Sequence, residues 1–209
     1  MDRRKFCVAA TGLPGVVLAQ ARKPEEGTEY LALGKRVSGD APEGKLEVIE
    51  FFWYSCPHCN VFEPKLVAWS KKLPADVVLK RVPVAFRDDF VPQQRLYYTL
   101  EAMGKLDELH AKVFHAIHAE RQMINREELI LDWASKQGLD KGKFKELYNS
   151  FSVSSKARRA TQLQDAFKVQ GVPAMGIAGR YYTDGTLAGS LDRTLQVTDY
   201  LIVEARKAR

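Results

Sequence analysis

Residues 46–66 read LEVIEFFWYSCPHCNVFEPKL, and the fold turns on how this stretch divides. Val48-Ile49-Glu50-Phe51-Phe52-Trp53 is an apolar run of β-branched and aromatic residues, the pattern of a buried strand. Phe62, Leu66 and Trp69 then recur at helical spacing. Between the two lies Cys56-Pro57-His58-Cys59. A Cys-x-x-Cys where a strand hands over to a helix reads as a dithiol redox site. Cysteines at i and i+3 on a first helical turn face the same way and can close a small disulfide ring. The helix start supplies unpaired N–H groups and a partial positive charge, which favour a thiolate at Cys56. Pro57 suits that turn, where its missing donor is not needed. His58 adds a polar or cationic neighbour. A stabilised thiolate stabilises the reduced form, so the disulfide form tends to pass its bond to another protein. Cys56 is the expected exchanging sulfur, and Cys59, one turn deeper, the expected resolving thiol.

Upstream, residues 1–21 form an expected export signal: Asp2-Arg3-Arg4-Lys5 is the positive start, Phe6 to Leu18 the apolar middle, and Ala19-Gln20-Ala21 the cleavage site. The Arg3-Arg4-x-Phe6 sequence leaves open both the general and the twin-arginine export routes. The apolar run is too short to span a membrane. The chain has three cysteines, and removing the signal with Cys7 leaves only Cys56 and Cys59. Either route leads out of the cytoplasm, where a dithiol can work as an oxidant. Net charge is +6; without Arg3, Arg4, Lys5 and Asp2 the remaining 29 basic and 25 acidic groups leave +4. That mild, dispersed excess and the lack of any motif argue against nucleic acid as a partner.

Residues 22–29 read as a loose mature terminus, Tyr30 to Leu33 as a first strand and Ser38–Gly44 as a linker. After the opening stretch, a helix to about Lys72 contains Pro64, which predicts a kink. Val77 to Val82 is another strand. From about Asp88 to Gln170 the pattern is helical throughout. Expected helices run over Pro92–Met103 and Asp107–Ala119, then from an Asn125 cap to Gly138. Phe144–Phe151 marks a short fourth, and Ser154–Gln170, stopped by Gly171, a fifth. Strands return at Ala174–Ala178, with a hairpin turn expected at Asp184-Gly185. A last helix starts at Asp192. The expected organisation is a signal (1–21), an α/β unit in two parts (22–87 and 171–209), and an all-helical insertion (88–170).

Three further features bear on the site. Gly171-Val172-Pro173-Ala174 places a proline at a strand entrance, where a cis bond is compatible but trans is the commoner state. Glu50 lies in an apolar strand, facing outward or buried; buried near Cys59 it could accept the resolving thiol's proton, with Lys80 as a partner. A Cys-x-x-Cys can also be half of a zinc site, which would have to be completed by His110, His115 or His118. Those histidines read more simply as ordinary helix residues.

Glu50-Phe51-Phe52, Cys56-Pro57-His58-Cys59 followed by Phe62-Glu63, and Gly171-Val172-Pro173-Ala174-Met175 together resemble the DsbA family of periplasmic thiol:disulfide oxidoreductases. The resemblance implies a thioredoxin fold with an inserted helical domain. It implies a cis Val172–Pro173 bond beside the cysteines, with the Val172 backbone pairing to extended substrates. It also implies an exposed Cys56, a shielded Cys59, and a buried Glu50 paired with Lys80. The activity implied is that of a monomeric periplasmic dithiol oxidase. Such an enzyme donates the Cys56–Cys59 disulfide to reduced, unfolded or extended polypeptides and is reoxidised by a DsbB-like membrane quinone reductase. It needs no cofactor or metal beyond that disulfide. A reductase or isomerase, or a non-catalytic peptide-binding module on the same fold, is the alternative. Gly176 departs from the family, where bulkier residues are common.

Overall fold

The computed structural model describes residues 22–207, so the expected signal segment and Cys7 lie outside the described residues. In chain order the elements are β1 (Leu31–Ala32), β2 (Leu46–Phe52), α1 (Pro57–Ser70), β3 (Val77–Pro83), and a 3-10 turn (Asp88–Phe90). Helices α2 (Val91–Ala102), α3 (Leu106–His118), α4 (Glu127–Lys136), α5 (Lys141–Tyr148) and α6 (Phe151–Ala166) follow. The chain closes with β4 (Ala174–Ile177), β5 (Tyr181–Asp184), α7 (Gly185–Ala188) and α8 (Leu191–Lys207).

The five strands form one sheet in the order β1-β5-β4-β2-β3. β2 runs parallel to β3 and antiparallel to β4. All seven residues of β2 are buried, which explains why its sequence is a nearly continuous apolar run. Its two faces meet different partners. Leu46 and Val48 pack with Phe62 and Leu66 of α1 and with Leu201 of α8. Ile49 and Phe51 pack with the inserted helices, among them Leu96, Leu163 and Phe167. The sheet is therefore the shared wall of two cores.

The helical block expected between β3 and β4 is present, and its boundaries are set by local chemistry. Asp140 and Ser150 cap α5 and α6 by accepting bonds from the Lys143 and Val153 N–H groups. Phe151 thus opens α6 rather than closing α5. Asn125 does not cap α4; Arg126 holds the extended capping position without a side-chain bond. α6 ends at Ala166, and Lys168 at φ 55 makes the left-handed exit assigned above to Gly171. α1 runs on through Pro64.

The expected hairpin turn is also displaced. Asp184 accepts bonds of 2.8 Å from the Thr186 and Leu187 N–H groups, so it starts α7 instead of a turn. The hairpin joining β4 to β5 uses Ala178 and Gly179, both at positive φ (54° and 65°). A Cβ at Gly179 would sit 2.0 Å from the Val37 carbonyl oxygen, so both the turn and the close approach require glycine.

Candidate active site

Cys56 occupies the N-cap position of α1 and offers no side-chain cap bond. The first-turn N–H groups of His58 and Cys59 are left to face its sulfur. That is the helix-start environment expected for a thiolate. The Cys56 thiol is pulled down to about 6, mainly by the hydrogen bond from the Cys59 side chain. The N–H groups of Cys59 and His58 and the charge of His58 act in the same direction, against burial. Cys59 is fully buried, and burial, with the Cys56 sulfur beside it, pushes its thiol well above the ordinary range. Both cysteines are present as free thiols.

The Val172–Pro173 bond is cis. It holds the Val172 carbonyl 3.4 Å from the Cys56 sulfur, which donates to it. This loop covers the thiol: Cys56 is only 8% exposed, contrary to the exposure implied by the resemblance. Next to this loop, His58, Val172 and Pro173 line a groove of about 300 Å³ with Gly185, Thr186 and Leu191. The loop bearing the cysteines is also tied to the helical block. Gln93 Nε2 donates to Ser55 Oγ at 2.8 Å, and the His118 ring bonds the Tyr54 carbonyl at 2.8 Å.

Behind Cys59, Glu50 is 1% exposed, so the buried reading of this residue holds. Its partner is not Lys80. In the parallel pairing Glu50 stands opposite Arg81 and Lys80 opposite Ile49. Alternation therefore sends Lys80 to the other face, where it pairs with Asp40 at 2.5 Å. Arg81 reaches two carboxylates, Glu50 through Nε at 3.2 Å and Glu63 through Nη2 at 2.8 Å. Only the Glu63 contact is aligned as a hydrogen bond; the Glu50 oxygens hold none. Burial first, then the Glu63 charge, raises the Glu50 carboxyl well above the usual carboxylate range, with Arg81 opposing. Glu50 in turn is among the charges that hold up the Cys59 thiol.

Sequence reading missed Arg81 and the role of Glu63. The alternation of Lys80 and Arg81 was visible, but which of them meets Glu50 depends on strand register. His115 pairs with Glu120 on the surface. Among the described residues no group of three or more His, Cys, Asp or Glu is arranged to hold a metal. Gly176 does not shape the groove at the cysteines. A Cβ there would fall 2.4 Å from the Phe167 ring, so the residue is small to seat Phe167 against the sheet.

A dithiol at a helix start, set on a sheet of this topology and facing a cis-proline loop, defines a thiol:disulfide oxidoreductase of thioredoxin fold. Comparison with known proteins narrows this class. Residues 70–196 match the DSBA-like thioredoxin domain. The thiol:disulfide interchange protein DsbA of Bordetella parapertussis is 44% identical over 202 residues, 96% of each chain. That of Pseudomonas aeruginosa is 42% identical over 91% of this chain and 90% of its own. The crystal structure of Pseudomonas aeruginosa DsbA superposes with a TM-score of 0.83, covering 88% of this chain and 96% of that one at 42% identity. The DsbA of Xylella fastidiosa, at 28% identity, gives 0.82 over 89% and 100%. The chain belongs to the DsbA family.

Proposed function

We propose that this oxidoreductase is a periplasmic dithiol oxidase in which Cys56 exchanges disulfides with reduced polypeptides and Cys59 resolves the mixed disulfide. The observation that carries this reading is the asymmetry of the pair: Cys56 is drawn down to about 6 while Cys59 is pushed up. A substrate thiolate attacks Cys56 of the disulfide, and Cys59 departs and takes a proton. A second substrate thiolate then displaces Cys56, which leaves readily as a thiolate. Two electrons move from substrate to enzyme, and the substrate gains the disulfide. Reoxidation by a DsbB-like membrane quinone reductase runs the exchange backward: Cys59 gives up its proton, Glu50 accepts it, and the sulfur attacks.

His58 supports the Cys56 thiolate, and Pro57 opens the helix that bears it. Val172 and Pro173 offer backbone at the sulfur, where an extended substrate can pair as an added strand. Residues 22–87 and 171–209 form the unit that carries this chemistry, with 88–170 as its inserted helical block and 1–21 as the export signal. The reaction needs no cofactor beyond the Cys56–Cys59 disulfide, and one chain holds every group named.

Oxidative refolding of a reduced, disulfide-containing protein tests the reading. Wild type restores activity to the substrate, and Cys56→Ser loses at least about 100-fold in rate, since the Cys56 sulfur is the sole entry for exchange. Refolding at the wild-type rate by Cys56→Ser would leave only a peptide-binding role. A redox equilibrium with glutathione far on the reducing side would make the protein a reductase.

A further inference from the structure

The turn that delivers Cys56 to its helix is held residue by residue by the inserted block. Trp53 stacks on Phe90, the residue before α2, with ring centroids 3.9 Å apart. The Tyr54 hydroxyl bonds His110 and the Tyr54 carbonyl bonds His118, both of α3. Ser55, the residue before Cys56, is held by Gln93 in the first turn of α2. Gln93 is 2% exposed. Its Nε2 donates to Ser55 Oγ at 2.8 Å and to the Ile124 carbonyl at 2.7 Å, and Ser55 Oγ donates back to Gln93 Oε1 at 3.1 Å. A carboxamide buried this deeply is costly unless its bonds are made. Here they are made to the connection between α3 and α4 and to a residue one place from the reacting sulfur.

Downstream, Cys56 is fixed by the helix. Pro57 has a locked φ and biases the residue before it to extended backbone, and Cys56 sits there at φ −80° and ψ 119°. The Cys56 carbonyl accepts the Asn60 N–H at 3.1 Å and so belongs to α1. With the carbonyl held, the freedom left is rotation about its bond to Cα, which swings the amide nitrogen and the arm bearing the sulfur together. The nitrogen side is held by the turn. The Cys56 N–H donates to the Trp53 carbonyl at 3.0 Å, and Ser55 beside it is tied to Gln93. We propose that Gln93 is a positioning residue of the thiol–disulfide reaction: by holding Ser55 it fixes the Cys56 sulfur against the first-turn N–H groups of α1. The inference rests on Cys56 being the exchanging thiol.

The titratable groups that act on the sulfur are Cys59 and His58 of its own helix. Asp184 borders the groove beside His58, the Val172 loop presents an uncharged carbonyl, and His118 meets the turn at Tyr54. Changing Gln93 or Ser55 removes none of these groups. Alignment with the first-turn N–H groups matters chiefly to the charged sulfur. Losing the tie therefore destabilises the Cys56 thiolate, and the neutral thiol and the disulfide far less. In exchange with glutathione the oxidised protein takes two electrons from two reduced glutathione molecules. The Cys56–Cys59 bond breaks and the bond of oxidised glutathione forms. Of the two thiol protons, one stays on Cys59 and the other goes to solvent while Cys56 remains a thiolate. A thiolate less stable by some factor thus raises the Cys56 midpoint and, above that midpoint, lowers this equilibrium constant by the same factor.

Two variants test the tie. Gln93→Leu keeps the bulk of the side chain and removes its bonds; Ser55→Ala removes the hydroxyl alone and leaves the Gln93–Ile124 bond. Ultraviolet absorbance of the thiolate gives the Cys56 midpoint of the reduced protein. Equilibration with glutathione gives the constant, and both are followed from about pH 4 to about pH 8. Each variant should raise the midpoint by about half a pH unit and lower the constant about threefold at the alkaline end. The difference should close at the acid end, where the sulfur is protonated in every protein. The double variant should shift no further than Gln93→Leu, since both changes break one contact. Unmoved midpoints in the folded variants, beside a depressed one in wild type, overturn the Gln93 proposal and leave the reading of Cys56 standing. A loss in the constant that is equal at every pH marks a merely structural amide and overturns it too, as do additive shifts in the double variant. A wild-type midpoint in the ordinary thiol range overturns both. Should Gln93→Leu fail to fold, Ser55→Ala, a small change at a half-buried position, decides by the same midpoint and constant.

Discussion

Cys56 and Glu50 make opposite demands on pH. The Cys56 thiol is drawn below its ordinary value of 9.0 to about 6, chiefly by the Cys59 hydrogen bond. A depressed thiol stabilises the folded reduced protein fully above the unfolded value and loses that contribution as pH falls through the folded one. The oxidised form has no thiol to titrate and serves as the reference. Thermal unfolding of the two forms should therefore show the reduced form losing stability relative to the oxidised as pH falls from about 9 to about 5. Partial screening of the sulfur by solvent holds the effect to about 2 kcal/mol. A difference that stays constant over that range would remove the thiolate from the account. At this scale the helix-start setting of Cys56-Pro57-His58-Cys59 is legible in the sequence, because it is built from the motif's own four residues; the Cys59 hydrogen bond that lowers Cys56 most and the Val172 loop that covers it are not. The partner of Glu50 is not legible, because Lys80 and Arg81 are adjacent in sequence and only the β2–β3 register tells them apart.

Elements are legible where one chain segment contains its own signal. β2 announces itself by seven consecutive buried positions, and the five inserted helices by their periodicity. What escapes is punctuation that depends on a neighbour. Asp184-Gly185 has the composition of a hairpin turn, yet Asp184 caps a helix, and the true turn at Ala178-Gly179 is held by the Val37 backbone at 2.7 Å. Gly176 is the same lesson in β4. It pairs with Ile49 on one side and Tyr182 on the other, and the Phe167 ring lies directly over it. Because Phe167 is 1% exposed, its ring cannot swing away from an added methyl. Gly176→Ala should destabilise the protein by about 1–3 kcal/mol as overpacking. Phe167→Leu in the same chain should recover part of that loss, since the two effects meet at one contact. Chemical denaturation of the two single variants and the double variant measures both; strictly additive effects would mean that the ring does not set the size of residue 176.

For the whole molecule, the sheet decides cooperativity. The inserted helices have their own apolar interior, but that interior is closed by Ile49 and Phe51 of β2, so the block and the sheet share a wall rather than a linker. Leu100 of α2 is fully buried within this core. Leu100→Ala should cost about 2–5 kcal/mol. It should lower the midpoint seen by far-UV circular dichroism and the midpoint seen by tryptophan fluorescence by the same amount. Trp53, stacked on Phe90 with ring centroids 3.9 Å apart, sits at the junction of the two parts and reports on both. Two separated transitions would show that the block unfolds by itself. The contact between the Cys56 sulfur and the Val172 carbonyl, 116 residues apart in sequence, has a further consequence for how such a chain comes into being. A polypeptide delivered amino end first presents its thiol pair long before the segment that covers it. Under the oxidase function proposed above, the nascent chain is during that interval an unfolded dithiol of the kind its finished copies would oxidise.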